Sequence, residues 1–70
     1  MSTESLYKVI EVVGTSPESW ERAVAVAVEK AAKSVRDLRV GEINKLDVTI
    51  KDGKVEAYRA RVQLSFKYEA

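Results

Sequence analysis

The chain has 70 residues, with no cysteine and no histidine. Without cysteine there is no disulfide framework and no thiolate metal site, and the redox compartment leaves no mark. Without histidine the commonest general base and the usual transition-metal ligand are missing. What remains does not assemble a nucleophile–base pair of the usual kind, which weighs against an enzyme. A dominant sign of charge is missing too: 12 basic and 11 acidic residues leave a formal net charge of +1. That gives no strong pull toward nucleic acid or an anionic membrane. No apolar run approaches the roughly 18 residues of a membrane span. No basic and apolar leader precedes a cleavage site, so the expectation is a soluble, cytoplasmic protein.

Proline occurs once and glycine three times. Gly14, Gly41 and Gly53 stand apart from one another, so no Gly-rich phosphate loop exists. Repeats, low-complexity tracts and linkers are absent, which leaves one domain over residues 1–70 with loose ends at Met1–Glu4 and the last residue or two. A monomer of this size buries only about 60% of its unfolded surface. With disulfides excluded, oligomerisation is the main remaining source of stability, with an oxygen-ligated cation as a second.

What is present centres on Val12–Trp20, where a strand gives way to the one long helix. Ser5–Val13 alternates as a strand, with Tyr7, Val9, Glu11 and Val13 on one side and Leu6, Lys8, Ile10 and Val12 on the other. Gly14 is placed to turn the chain. Ser16 followed by Pro17 reads as an N-cap and first helical turn, and Thr15 with Glu18 offers a competing capping box. The spacing predicts a helix from Pro17 to about Ser34. Its apolar stripe is Trp20, Val24, Ala27, Ala31, Val35 and Leu38, flanked by Ala23 and Val28. Trp20 reads as a core anchor, with a ligand-stacking role as the alternative. Val26 falls on the back of the helix.

Arg39–Lys51 reads as a long strand whose apolar parity changes between Ile43 and Leu46, so a β-bulge is expected near Asn44–Lys45. Asp52-Gly53 signals a hairpin turn. Val55–Tyr68 returns with Tyr58, Ala60, Val62, Leu64 and Phe66 on one face and Arg59, Arg61, Gln63, Ser65 and Lys67 on the other. The order is β-α-β-β. Strands of about 13 residues span roughly 43 Å, and a helix of about 18 residues roughly 27 Å. One helix cannot cover such a sheet, and the uncovered surface calls for self-association.

Chemistry on these strands is sparse. Glu11, Glu42, Asp47, Asp52 and Glu56 offer oxygen ligands to a hard cation, although their spacing matches no EF-hand loop. The competing reading is solvated or ion-paired surface carboxylates. Arg59 and Arg61 share a strand face that suits an anion. Their competing reading is pairing with carboxylates of neighbouring strands.

Tyr7-Lys8-Val9-Ile10-Glu11-Val12-Val13-Gly14-Thr15-Ser16-Pro17 and the closing Val62-Gln63-Leu64-Ser65-Phe66 resemble the dodecin family, from Leu6 to Tyr68. The resemblance implies an α+β fold, a β-α-β-β subunit whose three-stranded antiparallel sheet wraps around one helix. It also implies a hollow homo-dodecamer of 23 symmetry, in which many members bind flavin. The family's stacking tryptophan falls at Val40 and its flavin-binding glutamine at Arg59. Valine has no π face, and arginine donates but does not accept. Ser16-Pro17-Glu18-Ser19-Trp20-Glu21 resembles the helix start of the calcium dodecin subgroup. No specific calcium ligand carries over; the carboxylates put forward are Glu11, Glu42 and Asp47. The function expected is a non-enzymatic shell that binds or stores a small ligand or cation, calcium being the cation implied, with the usual flavin binding weakened. The alternatives are a riboflavin or FMN store and a ligand-free structural assembly.

Overall fold

Residues 4–68 are described by the computed structural model, so of the expected loose ends all but Glu4 lie outside the described part. Four elements follow one another: β1 (Leu6–Ser16), α1 (Trp20–Ala31), β2 (Leu38–Lys51) and β3 (Lys54–Tyr68). The α+β fold class and the β-α-β-β order are those the sequence predicts. The sheet is antiparallel with order β1-β3-β2, so β3 is central. Asp52 and Gly53 take φ of 53° and 74°, the left-handed pair a two-residue hairpin needs.

Register sorts the side chains onto two faces. Val62 pairs with Val12 and Ile43, and Ala60 with Gly14 and Leu46; these share the face that carries α1. Asn44 is the extra residue between the pairs Ile43–Val62 and Lys45–Arg61. This is the expected bulge, and it returns Ile43 and Leu46 to one face. Two further register breaks, at Arg39 and at Glu56, carry no signal in the alternation.

The junction between β1 and α1 differs from the sequence expectation. β1 runs on to Ser16, because Gly14 and Ser16 keep their ladder partners Ala60 and Tyr58. The sheet therefore retains Ser16, and capping passes to Ser19, whose hydroxyl accepts from the Arg22 N–H at 3.0 Å. The buried Ser16 hydroxyl instead accepts from Glu18 N–H at 3.0 Å, a local turn bond. Pro17 lies ahead of the helix, not in its first turn. At the far end α1 stops at Ala31 instead of Ser34. The chain keeps turning through Ser34 N–H to Ala31 C=O at 3.0 Å and Val35 N–H to Ala31 C=O at 2.9 Å. Asp37, at φ 61°, then redirects it into β2, so Val35 and Leu38 leave the helical stripe.

Gly14 does not turn the chain; it lets the helix approach. A Cβ there would collide with the Ala23 carbonyl oxygen and sit 2.9 Å from the Ala27 Cβ. The helix presents alanine at both positions, and both are buried. Gly14→Ala should therefore destabilise the fold by about 1–3 kcal/mol, as overpacking does, read as a lowered thermal midpoint.

The core this builds is small. Ala23, Ala27, Ala60, Val62 and Leu64 are its buried apolar residues among those described. The helix packs on β1 and β3 and barely reaches β2. Ile43 and Leu46, on the helix side of β2, stay 52% and 49% exposed. The radius of gyration is 14.6 Å, against about 11 Å for a compact chain of this length. Accessible surface is 5444 Å², against about 4400 Å² for a compact monomer of this mass.

Candidate functional site

The helix-free face of the sheet carries the polar residues of β3, and the register sets their neighbours. Arg59 lies between Thr15 and Asp47, Arg61 between Val13 and Lys45, Gln63 between Glu11 and Glu42, and Ser65 between Val9 and Val40. Alternation within β3 alone predicts this face, and the two flanking strands add to it the carboxylates that the arginines use.

Arg59 Nε donates to Asp47 Oδ1 at 2.8 Å and its NH2 to Oδ2 at 3.3 Å, so both carboxylate oxygens are engaged. Arg61 NH1 donates to Glu11 Oε1 at 3.3 Å. Pairing with carboxylates of neighbouring strands is thus what both arginines do. The hydrogen bond from Arg59 holds the Asp47 carboxyl below its usual 3.8, ahead of the pull of nearby charges, and Asp47 in turn raises Arg59. A lowered folded-state value adds stability above the ordinary carboxylate range. That stability is lost as pH falls through the lowered value. Asp47→Asn should remove this part of the acid dependence, read by circular dichroism below about pH 4.

Val40 and Arg59, the two positions that match the family flavin site, both lie on the helix-free face. They are not neighbours. Val40 pairs with Ser65, six residues along β3 from Arg59, which is roughly 20 Å. A pocket using both takes them from different copies of the chain. Val40 is 59% exposed, and its carbonyl accepts from the Ser65 hydroxyl at 3.4 Å. The residues present do not fit a stacked flavin: Val40 offers no ring, and the Arg59 guanidinium is engaged by Asp47. Tyr7 is the aromatic residue of β1 on this face. Its pairing with Lys67 puts it on the helix-free face, where its parity with Val9 already placed it.

Trp20 and Tyr58 belong to the other face. Their rings meet edge to face, with centroids 5.1 Å apart and planes at 75°. The Trp20 indole N–H donates to the Asp47 carbonyl at 3.0 Å. Trp20 remains 38% exposed, so it is not the core anchor its size and spacing predict. The close approach of α1 at Gly14 is made by Ala23 and Ala27, while Trp20, the first residue of α1, lies beside Tyr58 and clamps α1 to β2.

The candidate metal ligands are spread out. Glu11 and Glu42 flank Gln63, two strand spacings or roughly 9.5 Å apart. Asp47 sits in the Arg59 row, four residues along β3 from theirs, roughly 13 Å away. Among the described residues no group of three acidic side chains gathers to hold a metal ion. Glu42 makes no ion pair among them. Clefts lie elsewhere. One of about 530 Å³ is bounded by Arg36, Asp37, Phe66 and Tyr68, and one of about 340 Å³ runs between β1 and α1. Val26 lines the second, half-buried, so it is not on a bare helix back. No helix among the described residues is long and apolar enough to cross a membrane.

The dodecin family profile matches residues 6–69. The calcium dodecin of Mycobacterium tuberculosis is 44% identical over 63 residues, 90% of this chain and 89% of that protein. Its crystal structure, of a calcium-chelating immunodominant antigen with a novel calcium-binding site, superposes with a TM-score of 0.81 at 45% identity, covering 93% of each chain. The dodecin of Streptomyces coelicolor superposes with a TM-score of 0.93 at 35% identity over 99% of each chain. The matched span takes in all four elements, and the chain belongs to the dodecin family.

Proposed function

We propose that this protein is a non-enzymatic, self-assembled shell that binds a small ligand, with calcium favoured and stacked flavin disfavoured. The observation that carries the assembly is the poorly covered helix side of β2, where Ile43 and Leu46 stay about half exposed within the chain. A second copy is the natural cover, and the family resemblance supplies a hollow dodecamer of 23 symmetry. Absence of histidine and cysteine supports a binding role over catalysis. A cytoplasmic location goes with this reading.

For the ligand, the identity to a calcium dodecin and the carboxylates of the helix-free face support calcium. Val40 and the engaged Arg59 speak against flavin. Glu11, Glu42 and Asp47 are the oxygen donors this reading uses. Because one chain keeps them apart, the six to eight ligands of a calcium ion come from more than one copy or from water. Glu42, which makes no ion pair among the described residues, is the foremost donor. Calcium titration of chelator-stripped protein by calorimetry should show binding. Glu42→Gln should weaken it by roughly tenfold, since affinity follows ligand charge. Protein that takes up no calcium, and carries none when isolated, would leave the ligand-free assembly as the better reading.

A further inference from the structure

The middle of β2 is bare on both sides. Nine consecutive residues, 39–47, are exposed, although a sheet strand ordinarily buries at least one face. β2 is also an edge strand of the sheet, with a row of backbone groups open to another strand. On the helix-free side of this stretch lie Val40, Glu42, Lys45 and Asp47. Asp47 is engaged by Arg59, but Glu42 and Lys45 make no ion pair among the described residues. Their cross-strand neighbours offer them no counter-charge. Lys45 lies directly opposite Arg61, and like charges so placed are unfavourable. Glu42 shares its row with Gln63 and Glu11. An acidic row thus lies beside a basic one, two β3 residues or roughly 7 Å along the strands.

A surface with this layout complements itself. A two-fold axis that crosses β2 between Glu42 and Lys45 runs the partner's strand antiparallel and lays each row on its opposite, the reciprocity of an isologous contact. We propose that this stretch of β2 is a contact between two copies of the chain, with Glu42 on the partner subunit's Lys45 and Lys45 on the partner subunit's Glu42. The inference rests on the self-assembly of the proposed function and not on the ligand named there. Ile43, half exposed on the helix side and paired with Val62 between the two rows, falls at the axis itself. The area suffices. The chain exposes 5444 Å², roughly 1000 Å² beyond a compact monomer of its mass, and a stable contact takes about 800 Å² from each partner.

Charge exchange on the full chain tests this, with assembly followed by light scattering over a dilution series. Glu42→Lys and Lys45→Glu should each raise the concentration at which the assembly dissociates roughly tenfold or more, since each sets two like-charge pairs in place of two opposite ones. The double variant, Glu42→Lys with Lys45→Glu, should assemble like the wild type. Equal mixing of the two single variants should also restore assembly, because each contact then joins two added bases to two added acids. The double variant and the mixture decide the case even where a freed subunit unfolds. Single variants that dissociate no sooner than the wild type would overturn the inference and leave the assembly standing. So would a double variant and a mixture that stay as dissociated as the single variants. A wild type that is monomeric at micromolar concentration would remove the assembly and this contact together.

Discussion

Leu46→Asp is expected to break the assembly into free subunits. Leu46 lies on the helix side of β2, half exposed within one chain, beside the half-exposed Ile43. If a second copy covers this strip, the substitution places an unpaired carboxylate in an apolar contact, which costs several kcal/mol at each site. Symmetry repeats the cost at every equivalent interface, so it is felt many times over. The subunit has little to fall back on. Its buried apolar residues are three alanines, a valine and a leucine, and it exposes roughly 1000 Å² more than a compact monomer of its mass would. Multi-angle light scattering at micromolar concentration should show the wild type near twelve subunits, the number the family resemblance supplies. The variant should appear at or near the 7.8 kDa subunit mass. A wild type that runs stably at 7.8 kDa would contradict both the assembly and the function built on it.

Much of this fold is legible in the sequence, and the parts that are not share a cause. Strand alternation sorts β3 into its two faces correctly, the parity change at Ile43–Leu46 locates the Asn44 bulge, and Asp52-Gly53 marks the hairpin. These signals are local: each depends on side-chain direction along one strand. The misplaced helix start has a tertiary origin. Ser16 has the chemistry of an N-cap, but its ladder bond to Tyr58 keeps it in the sheet, and the next serine takes the role. Trp20 is misjudged for a similar reason. Helical spacing marks it as core, but the contact of α1 with the sheet at Gly14 is made by Ala23 and Ala27, and Trp20 at the helix start stays 38% exposed. The polar face of β3 was legible by residue type and not by pairing. Arg59 and Arg61 share a face by alternation, and that their partners are Asp47 and Glu11 depends on register across two strand pairs. Tyr7 shares that face by its alternation with Val9.

Riboflavin fluorescence should be barely quenched at concentrations where flavin-binding dodecins saturate. A stacked ring contributes roughly 0.5–1.5 kcal/mol beyond the area it buries, and Val40 supplies neither the ring nor much of the area. The glutamine hydrogen bond at the second position, about 1 kcal/mol, is replaced by an arginine that cannot accept and that donates from Nε and NH2 to Asp47. A site on a two-fold axis takes the same residue from both subunits, so each loss counts twice. The deficit reaches several kcal/mol, and at about 1.4 kcal/mol per decade affinity should fall a hundredfold or more. Val40→Trp with Arg59→Gln should recover part of it. Val40 is exposed on the helix-free face, so an indole there meets no packed core in its own chain. Tight riboflavin binding by the unmodified protein would show that another ring does the stacking. Tyr58 is not available for that, since it faces α1 and packs edge-on against Trp20. Tyr7, on the helix-free face, would be the residue to test by Tyr7→Leu.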